Sequence, residues 1–302
     1  MTYTVRAPAK INLHLGVGAP REDGFHPLLT VYQAVGVCDD VSMSRSAGWS
    51  LRVDVPDWID PELVPLDGDN IVHRAALLLA AHHGLTEVHA EASIAKQIPV
   101  AGGMAGGSAD AAAALVALDR LWELETSDDD LLQIAGVLGS DVPFALIGGT
   151  ALGTGRGELV EPVADDATWW WVAVCHDVGM STPAVYRHFD ELHPDASPEP
   201  PSADDLLEAI AAGDVHALAA TLHNDLQQAA FDLRPDLAEV IAFGEGEGAL
   251  RGIISGSGPT CVFLNESADD ARAVASAFSE KGHETVLVTH GPVAGAHVVT
   301  YA

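Results

Sequence analysis

The chain has 302 residues, 48% of them hydrophobic, which is enough for one large or two ordinary domains with a substantial core. Its 44 acidic and 14 basic residues give a formal net charge of −30, which argues against nucleic-acid binding because contact with a phosphate backbone needs a basic face. No apolar run reaches the ~18 residues that cross a bilayer, and the N-terminus lacks the pattern of a signal peptide. The three cysteines lack metal-ligand spacing and are predicted to be buried free thiols. We therefore expect a cytoplasmic protein with no membrane partner.

The sequence pattern of the N-terminal half predicts both strands and helices. Strands are predicted over residues 2–17, with a bend at Pro8 that divides them in two, and over residues 28–37, 41–44 and 88–94. Helices are predicted from an Asn70 cap to residue 81, from a Ser108 cap through Leu121, and from a Ser127 cap to Leu138. The glycine-rich residues 148–157 predict a hairpin turn, with phosphate contact as the alternative.

The C-terminal half predicts further strands and helices around one proline-rich loop. Residues 169–174 form an apolar run typical of a buried strand, and residues 193–202, which contain four prolines, predict an exposed loop. Helices are predicted at residues 203–212, 215–223, 235–243 and 268–280, and strands at 252–255, 260–264, 284–289 and 297–301. Mixed strands and segregated helices indicate an α+β fold.

A glycine-rich loop before the alanine-rich helix is the strongest functional signal. It reads Pro99-Val100-Ala101-Gly102-Gly103-Met104-Ala105-Gly106-Gly107-Ser108-Ala109. Glycine lets backbone N–H groups turn towards a ligand, and the positive end of the following helix favours an anion, so the loop suits a polyphosphate. No Walker A or dinucleotide-binding pattern occurs in it. The alternative is a turn that only packs a helix against a sheet.

Three polar residues are candidates for the chemistry. Asp141 follows Gly139-Ser140 at a predicted helix end, where it could enter a cleft or simply cap a helix. Lys10 lies in an apolar, strand-like block, where an unpaired ammonium is costly unless it reaches solvent from an edge strand. Asn12 shares a strand face with Lys10, and its amide suits a polyol hydroxyl.

A second group of residues could hold a base. Phe25 and His26 follow the turn-forming Asp23-Gly24, and a phenyl ring beside an imidazole can stack on a pyrimidine and bond to its edge. The alternative places the phenylalanine in the core and the histidine on the surface.

Four blocks of sequence resemble the galactokinase, homoserine, mevalonate and phosphomevalonate kinase superfamily. They are the glycine-rich loop, residues 7–15 with 21–28, residues 138–144 and residues 255–260. The Lys10-x-Asn12 block with Asp-Gly-Phe-His, and Gly-Ser-Asp-Val-Pro-Phe, resemble the branch whose acceptor is a cytidine-diphosphate-linked methylerythritol of the non-mevalonate isoprenoid pathway. The resemblance implies a ribosomal-protein-S5-like domain over residues 1–160, a ferredoxin-like domain over residues 161–302, and a site in the cleft between them.

The resemblance also implies roles for the candidate residues. Asp141 takes the proton of the acceptor hydroxyl and pairs with Lys10, while the loop from Pro99 to Ala109 and Ser257 bind ATP. Phe25 and His26 become cytidine ligands, although the family often has tyrosine at the first position. The segment containing Thr182 and Tyr186 resembles the one that supplies a second aromatic ring. Mg²⁺ is expected to arrive on ATP, with Ser108 as the nearest hydroxyl and no dedicated metal site. A homoserine- or mevalonate-type kinase and a non-catalytic nucleotide-binding module are the alternatives.

Overall fold

The computed structural model describes residues 1–66 and 68–300 and builds the chain around two β-sheets. Within those residues the strands are β1 (Thr2–Val17), β2 (Leu28–Ser44), β3 (Trp49–Asp54), β4 (Ala90–Ala95), β5 (Thr150–Thr154), β6 (Leu159–Val163), β7 (Trp169–Val174), β8 (His223–Asn224), β9 (Arg251–Ile254), β10 (Cys261–Asn265), β11 (Val286–Gly291) and β12 (His297–Val299). The α-helices there are α1 (Ile71–His82), α2 (Gly106–Trp122), α3 (Asp128–Leu138), α4 (Val142–Ile147), α5 (Thr182–Leu192), α6 (Asp204–Ala212), α7 (Val215–Thr221), α8 (Gln227–Leu233), α9 (Asp236–Gly246) and α10 (Ala268–Glu280).

The first sheet depends on the long antiparallel pair β1 and β2, and its main path runs β12-β1-β2-β4-β3. The predicted division at Pro8 and the predicted break after residue 37 are both wrong, because each strand is continuous. The pairing instead shifts register at Pro8/Ala9 and at Asn12/His14. An irregularity of this kind leaves a residue out of the ladder, so the strand accommodates a proline that has no N–H to donate.

Helix α2 is buried on almost every side and packs on this sheet with many small residues. Its fully buried alanines are Ala109, Ala111, Ala112, Ala113, Ala114 and Ala117. Methyl side chains let the helix approach β1 and β2 closely, and the contact removes apolar surface from water. The position of the N-terminus of α2, and of the glycine-rich loop before it, is therefore set by core packing.

The second sheet is antiparallel throughout, in the order β11-β7-β10-β9. Helices α9 and α10 pack against it, and Phe263 of β10 lies 5.1 Å from Phe278 of α10 between ring centroids. A Cβ at Gly244 or Gly252 would collide with the Phe263 ring, so both positions need glycine. This core is separate from the one beneath α2.

A buried polar network joins the two sheets. Gln33 of β2 accepts a hydrogen bond from Trp171 Nε1 of β7 at 2.8 Å and donates one to Asp165 at 3.1 Å. Asp165 also accepts from Trp169 Nε1 at 3.0 Å. Buried polar groups are costly when unpaired, so this network fixes how the second sheet lies against the first.

Most predicted elements are found within a few residues of their expected bounds. Asn70 and Ser127 cap α1 and α3 through their side chains, as predicted. The expected turn near residue 155 is confirmed as the hairpin between β5 and β6, although residues 150–154 are strand. The predicted strand over 297–301 ends at Val299, and Tyr301 lies outside the described residues. The sequence analysis did not predict the strands β3, β5, β6 and β8 or the helices α4, α5 and α8.

The prediction of buried free thiols holds for two of the three cysteines. Cys175 and Cys261 are buried free thiols, whereas Cys38 is only partly buried. Among the described residues, no helix combines the length and apolar character needed to cross a bilayer.

Candidate active site

A cleft of about 920 Å³ collects most of the predicted site residues. Its lining comes from β1, the glycine-rich loop, the start of α5 and the turn at residues 256–258. Of the predicted site residues, Met104 and Ala109 do not line it, and both are fully buried. Residues that are more than 240 positions apart in the sequence therefore face one another across a single space.

The glycine-rich loop is held by close backbone contacts. Gly103 has φ +80°, and a Cβ there would collide with the carbonyl oxygen of Ser255. The Ser255 hydroxyl donates to the Gly103 carbonyl at 2.9 Å, and Thr260 N donates to the Gly102 carbonyl at 3.3 Å. Ser255 and Thr260, which flank the 256–258 turn, thus support the loop from one side.

Helix α2 begins two residues earlier than the predicted Ser108 cap. Ala105 occupies the N-cap position in the left-handed conformation, with φ 57°, and no side chain caps the helix. The expectation that Ser108 is the N-cap is therefore wrong, because Gly106 and Gly107 already have helical conformation. The first-turn N–H groups have no side-chain acceptor, which keeps this end of the helix suited to an anion.

Lys10 and Asn12 form a hydrogen-bonded pair on β1. Lys10 Nζ donates to Asn12 Oδ1 at 2.7 Å, and Asn12 Nδ2 donates to Thr30 Oγ1 at 2.8 Å. The Thr30 hydroxyl in turn donates to the His14 carbonyl at 2.7 Å. Lys10 is only 6% exposed, so it does not reach bulk solvent as an edge-strand lysine would. The chain of hydrogen bonds fixes where its ammonium group lies.

Asp141 faces this ammonium group from the start of α4. Its Oδ2 lies 3.6 Å from Lys10 Nζ, and its side chain makes no capping hydrogen bond to the helix. Burial, followed by the negative charge of Asp141, raises the pKa of the nearby Tyr32 well above its usual value. The carboxylate lines the cleft, where it can accept a proton from a bound hydroxyl.

A second part of the cleft is built around His26. The histidine is 8% exposed, its Nε2 lies 2.8 Å from Asp190 Oδ1, and its ring lies 4.9 Å from that of Tyr186. Phe25 is 50% exposed. The sequence alternative, a core phenylalanine beside a surface histidine, is thus reversed, since the phenyl ring is accessible and the imidazole is held by partners.

Arg156 extends this part of the cleft in a way that the sequence analysis did not predict. It lies in the β5–β6 turn, and its guanidinium carbon is 4.9 Å from the Phe25 ring centroid. A Cβ at Gly157 would collide with the Tyr32 hydroxyl, so the turn closes tightly on β2. The hairpin thereby brings a cation to the cleft.

Thr182 and Ser257 connect the two sides of the opening. Their hydroxyl oxygens lie 2.8 Å apart, one at the start of α5 and the other in the 256–258 turn. Both line the cleft, and a hydrogen bond between hydroxyl groups can be exchanged for one to a ligand.

A buried ion triad under the glycine-rich loop was also missed. Lys96 Nζ lies 2.6 Å from Asp39 Oδ2 and 2.7 Å from Asp110 Oδ2. Asp39 Oδ1 accepts from the N–H groups of Gln97 and Ile98, the latter at 2.8 Å. The only available sequence signal was that Lys96 is one of three lysines in the chain.

Burial and charge act in opposite directions within the triad. Burial alone would lower the pKa of Lys96, but the two carboxylates raise it above its usual value. Burial raises the pKa of Asp110 well above its usual value, although Lys96 opposes that shift. Through Asp110, the triad anchors the N-terminal part of α2 to β2 and to the end of β4 before the loop.

No group of three or more His, Cys, Asp or Glu side chains in residues 1–66 and 68–300 is arranged to hold a metal ion.

The cleft continues beyond the glycine-rich loop to Leu63, Pro65, Asn70 and Ile71, a part that no motif of the sequence indicated.

Comparison with known proteins places these features in one family of enzymes. The model for the GHMP kinases N terminal domain matches residues 70–149, and the model for GHMP kinases C terminal matches residues 206–284. The chain is 68% identical over 298 residues to a protein of Nocardioides sp. named 4-diphosphocytidyl-2-C-methyl-D-erythritol kinase, covering 99% of this chain and 100% of that relative.

Two further relatives agree with that match. A protein of Thermobifida fusca with the same name is 52% identical, covering 99% of this chain and 98% of the relative. A crystal structure of 4-(cytidine 5'-diphospho)-2C-methyl-D-erythritol kinase has a TM-score of 0.77 at 32% identity, covering 96% of this chain and 99% of that chain. The mixed α/β fold in two domains is thus shared with solved kinases.

The ion triad leads to a stability prediction. The Lys96→Met variant leaves two buried carboxylates without a cation and should lose roughly 3–5 kcal/mol of unfolding free energy at pH 7. The raised pKa of Lys96 means that its stabilisation is fully present below the unfolded pKa and is lost only at strongly alkaline pH. Acidification to pH 5 should narrow the difference in unfolding free energy from wild type, because burial raises the pKa of Asp110 and its unpaired carboxylate then takes up a proton.

Urea unfolding followed by circular dichroism measures this effect. The Lys281→Met variant, which removes an exposed lysine from the end of α10, is the control and should lose at most ~1 kcal/mol. Adding Asp110→Asn to Lys96→Met should recover part of the loss. A Lys96→Met protein within ~0.5 kcal/mol of wild type would contradict the prediction.

Proposed function

The chain belongs to the 4-diphosphocytidyl-2-C-methyl-D-erythritol kinases, a family of GHMP kinases, and on that premise we propose the reaction that it catalyses. It transfers the γ-phosphoryl group of ATP to the 2-hydroxyl of 4-diphosphocytidyl-2-C-methyl-D-erythritol, within the non-mevalonate pathway to isoprenoid precursors. The observation that carries the proposal is the Lys10–Asp141 pair, which faces a glycine-rich loop across one cleft.

The transfer requires one bond to form and one to break. The acceptor hydroxyl oxygen attacks the γ-phosphorus, and the bond from that phosphorus to the β–γ bridging oxygen breaks, so that ADP leaves with the electron pair. Asp141 accepts the hydroxyl proton, and Lys10 stabilises the negative charge near the attacking oxygen. Asn12 holds Lys10 in place through its Oδ1, and its amide group also lines the cleft beside the acceptor.

ATP phosphates bind at the glycine-rich loop and the uncapped start of α2. The free N–H groups there and the helix dipole favour an anion. Mg²⁺ would arrive as the counter-ion of ATP and would neutralise phosphate charge, and Ser108, which lines the cleft, would be the nearest protein hydroxyl to it. The adenosine part extends along the continuation of the cleft towards Asn70 and Ile71.

Cytidine binds in the part of the cleft formed by Phe25, His26 and Tyr186. The base stacks on the exposed Phe25 ring, and His26, which is oriented by Asp190, bonds to the base edge. Tyr186 forms the opposite wall. Arg156 lies close enough to the same ring to bind the diphosphate that follows the nucleoside.

The architecture that we propose has an S5-like domain over residues 1–160 and a ferredoxin-like domain over residues 161–302. Support for the latter comes from the antiparallel order β11-β7-β10-β9, in which the strands stand fourth, first, third and second along the chain. Two short strands of the second part, β8 and β12, pair with β1 across this boundary. The cytoplasmic location stays a prediction.

The acceptor distinguishes this activity from that of other kinases of the superfamily. With ATP and Mg²⁺ present, a coupled assay of ADP release should respond to 4-diphosphocytidyl-2-C-methyl-D-erythritol and not to homoserine or mevalonate. Those acceptors carry no base to occupy the Phe25 and His26 part of the cleft. Equal turnover with homoserine or mevalonate would refute the proposed substrate, and a lack of turnover with all three would favour a nucleotide-binding module.

The Lys10–Asp141 pair should behave as one catalytic unit. The Asp141→Asn variant should lose about 10²–10⁴-fold in kcat because the carboxylate no longer accepts the proton, while calorimetric binding of an ATP analogue stays nearly unchanged. The losses of Lys10→Met and Asp141→Asn should not add in the double variant. The Asp129→Asn variant, on an exposed helix start, is the matched control and should keep wild-type kcat. Additive losses would contradict a shared role.

Phe25 should contribute to substrate affinity and little to stability. The Phe25→Ala variant should raise KM for the cytidine substrate about fivefold to thirtyfold through lost stacking, whereas Phe25→Tyr should be nearly neutral. The melting temperature should hardly change, because half of the ring is exposed. The Phe278→Ala variant is the opposite control, since loss of that buried ring should lower Tm and leave KM unchanged. A Phe25→Ala protein with normal KM and reduced Tm would assign the ring to the core.

A further inference from the structure

We propose that Asn224, in the short strand β8, is a positioning residue for the phosphoryl-transfer centre. It holds the 256–258 turn in register with Lys10 on one side and the glycine-rich loop on the other. The expected effect of Asn224 on turnover rests on the proposed function. Its effect on nucleotide binding depends only on the geometry of the loop.

The side chain of Asn224 is fully used by the backbone of this region. Its Nδ2 donates to the carbonyl oxygens of Ile254 and Gly256, both at 2.8 Å, and its Oδ1 accepts from Leu226 N at 2.9 Å. Asn224 is 8% exposed. Because the oxygen already receives the Leu226 N–H, the amide nitrogen must face the two carbonyl groups. The planar amide group of Asn224 therefore binds the backbone on both sides of Ser255, at Ile254 and at Gly256.

The turn that Asn224 anchors touches the reacting groups. Gly256 has φ +58°, and a Cβ there would lie 3.3 Å from Lys10 Nζ and 3.4 Å from Asn12 Oδ1. Ser255 donates its hydroxyl to the Gly103 carbonyl at 2.9 Å. A displacement of the turn would therefore change the surroundings of the Lys10 ammonium and the support of the glycine-rich loop together.

Asn224 is itself fixed to the strand that carries Lys10. β8 pairs in parallel with β1, so that His223 lies opposite His14 and Asn224 opposite Leu15. The next residue, Asp225, accepts from Val17 N at 2.8 Å through Oδ2 and lies 2.7 Å from His223 Nε2 through Oδ1. β1 thus presents Lys10 on its own backbone and, through Asn224, determines where the turn above Lys10 lies.

The Asn224→Asp variant tests this role with almost no change in side-chain volume. It replaces two N–H donors by an oxygen that faces two carbonyl oxygens, so the turn should move away from Lys10. We expect kcat to fall about tenfold to a hundredfold, since a displacement of about 1 Å can cost that much. KM for the cytidine substrate should stay close to wild type, because Phe25 and His26 do not contact the turn. The Kd for a non-hydrolysable ATP analogue, measured by calorimetry, should rise about fivefold to tenfold.

Controls separate this role from a general loss of stability. The Asn265→Ala variant removes another buried asparagine, whose Nδ2 donates to the Phe263 carbonyl at 2.9 Å far along β10 from the turn, and should keep wild-type kcat and Kd. All assays are run at a temperature at which circular dichroism shows every variant folded. The Asn224→Ala variant lacks the two donors but adds no repulsion. It should show a smaller fall in kcat and a smaller rise in Kd than Asn224→Asp.

The outcomes also distinguish this inference from the proposed reaction. A wild-type protein that binds the ATP analogue without phosphorylating the cytidine substrate refutes the reaction, and the Kd of the Asn224 variants then decides the inference alone. A folded Asn224→Asp protein with unchanged Kd and unchanged kcat overturns the positioning role. Equal losses in the Asn224 and Asn265 variants overturn it as well, because they would reflect stability.

Discussion

The need to pair a buried ammonium group is the constraint on which the active-site geometry depends. Lys10 lies within a core strand, where an isolated charge is costly, so partners have to come to it. Asn12 is available two residues along the same strand, and Asp141 comes from the start of α4. The Gly256 turn then approaches so closely that only glycine leaves the pair undisturbed. Parts of the chain that are far apart in sequence therefore meet around one nitrogen atom.

The two buried lysines of the cleft show how the surroundings divide structural from chemical roles. Lys96 makes short contacts with two carboxylates, so its charge is offset and two of its three donors are occupied by the protein. Lys10 bonds to a neutral amide, and its carboxylate partner lies 3.6 Å away, beyond hydrogen-bond distance. Lys10 therefore keeps a donor for a ligand oxygen that lies within hydrogen-bond distance of both Lys10 and Asp141. The looser pair is the one suited to chemistry, because it is completed only by a ligand.

Local patterns made much of the fold predictable, and contacts between distant residues explain what was not. The caps at Asn70 and Ser127 act on the next three residues, so they could be read directly from the sequence. Motifs likewise located the glycine-rich loop, Lys10 and Asp141, which the structure brings to one cleft. Arg156, Asp39 and Asn224 were missed because the contacts that give them their roles are with Phe25, Lys96 and Ile254, each 30 or more positions away. The Ser108 cap was wrong because packing of α2 on the sheet overrides the low helix propensity of Gly106 and Gly107.

The strongly acidic composition is compatible with anionic substrates because the two effects act over different distances. Repulsion from surface carboxylates is screened beyond about 8 Å at physiological ionic strength, whereas donors in an enclosed cleft act at contact. The cleft is lined by Lys10 and Arg156, and the uncapped start of α2 opens into it. Backbone N–H groups are donors that carry no net charge, so they can bind phosphate without altering the formal charge of −30. A glycine-rich loop of this kind can therefore offer donors to an anion while the protein surface remains acidic.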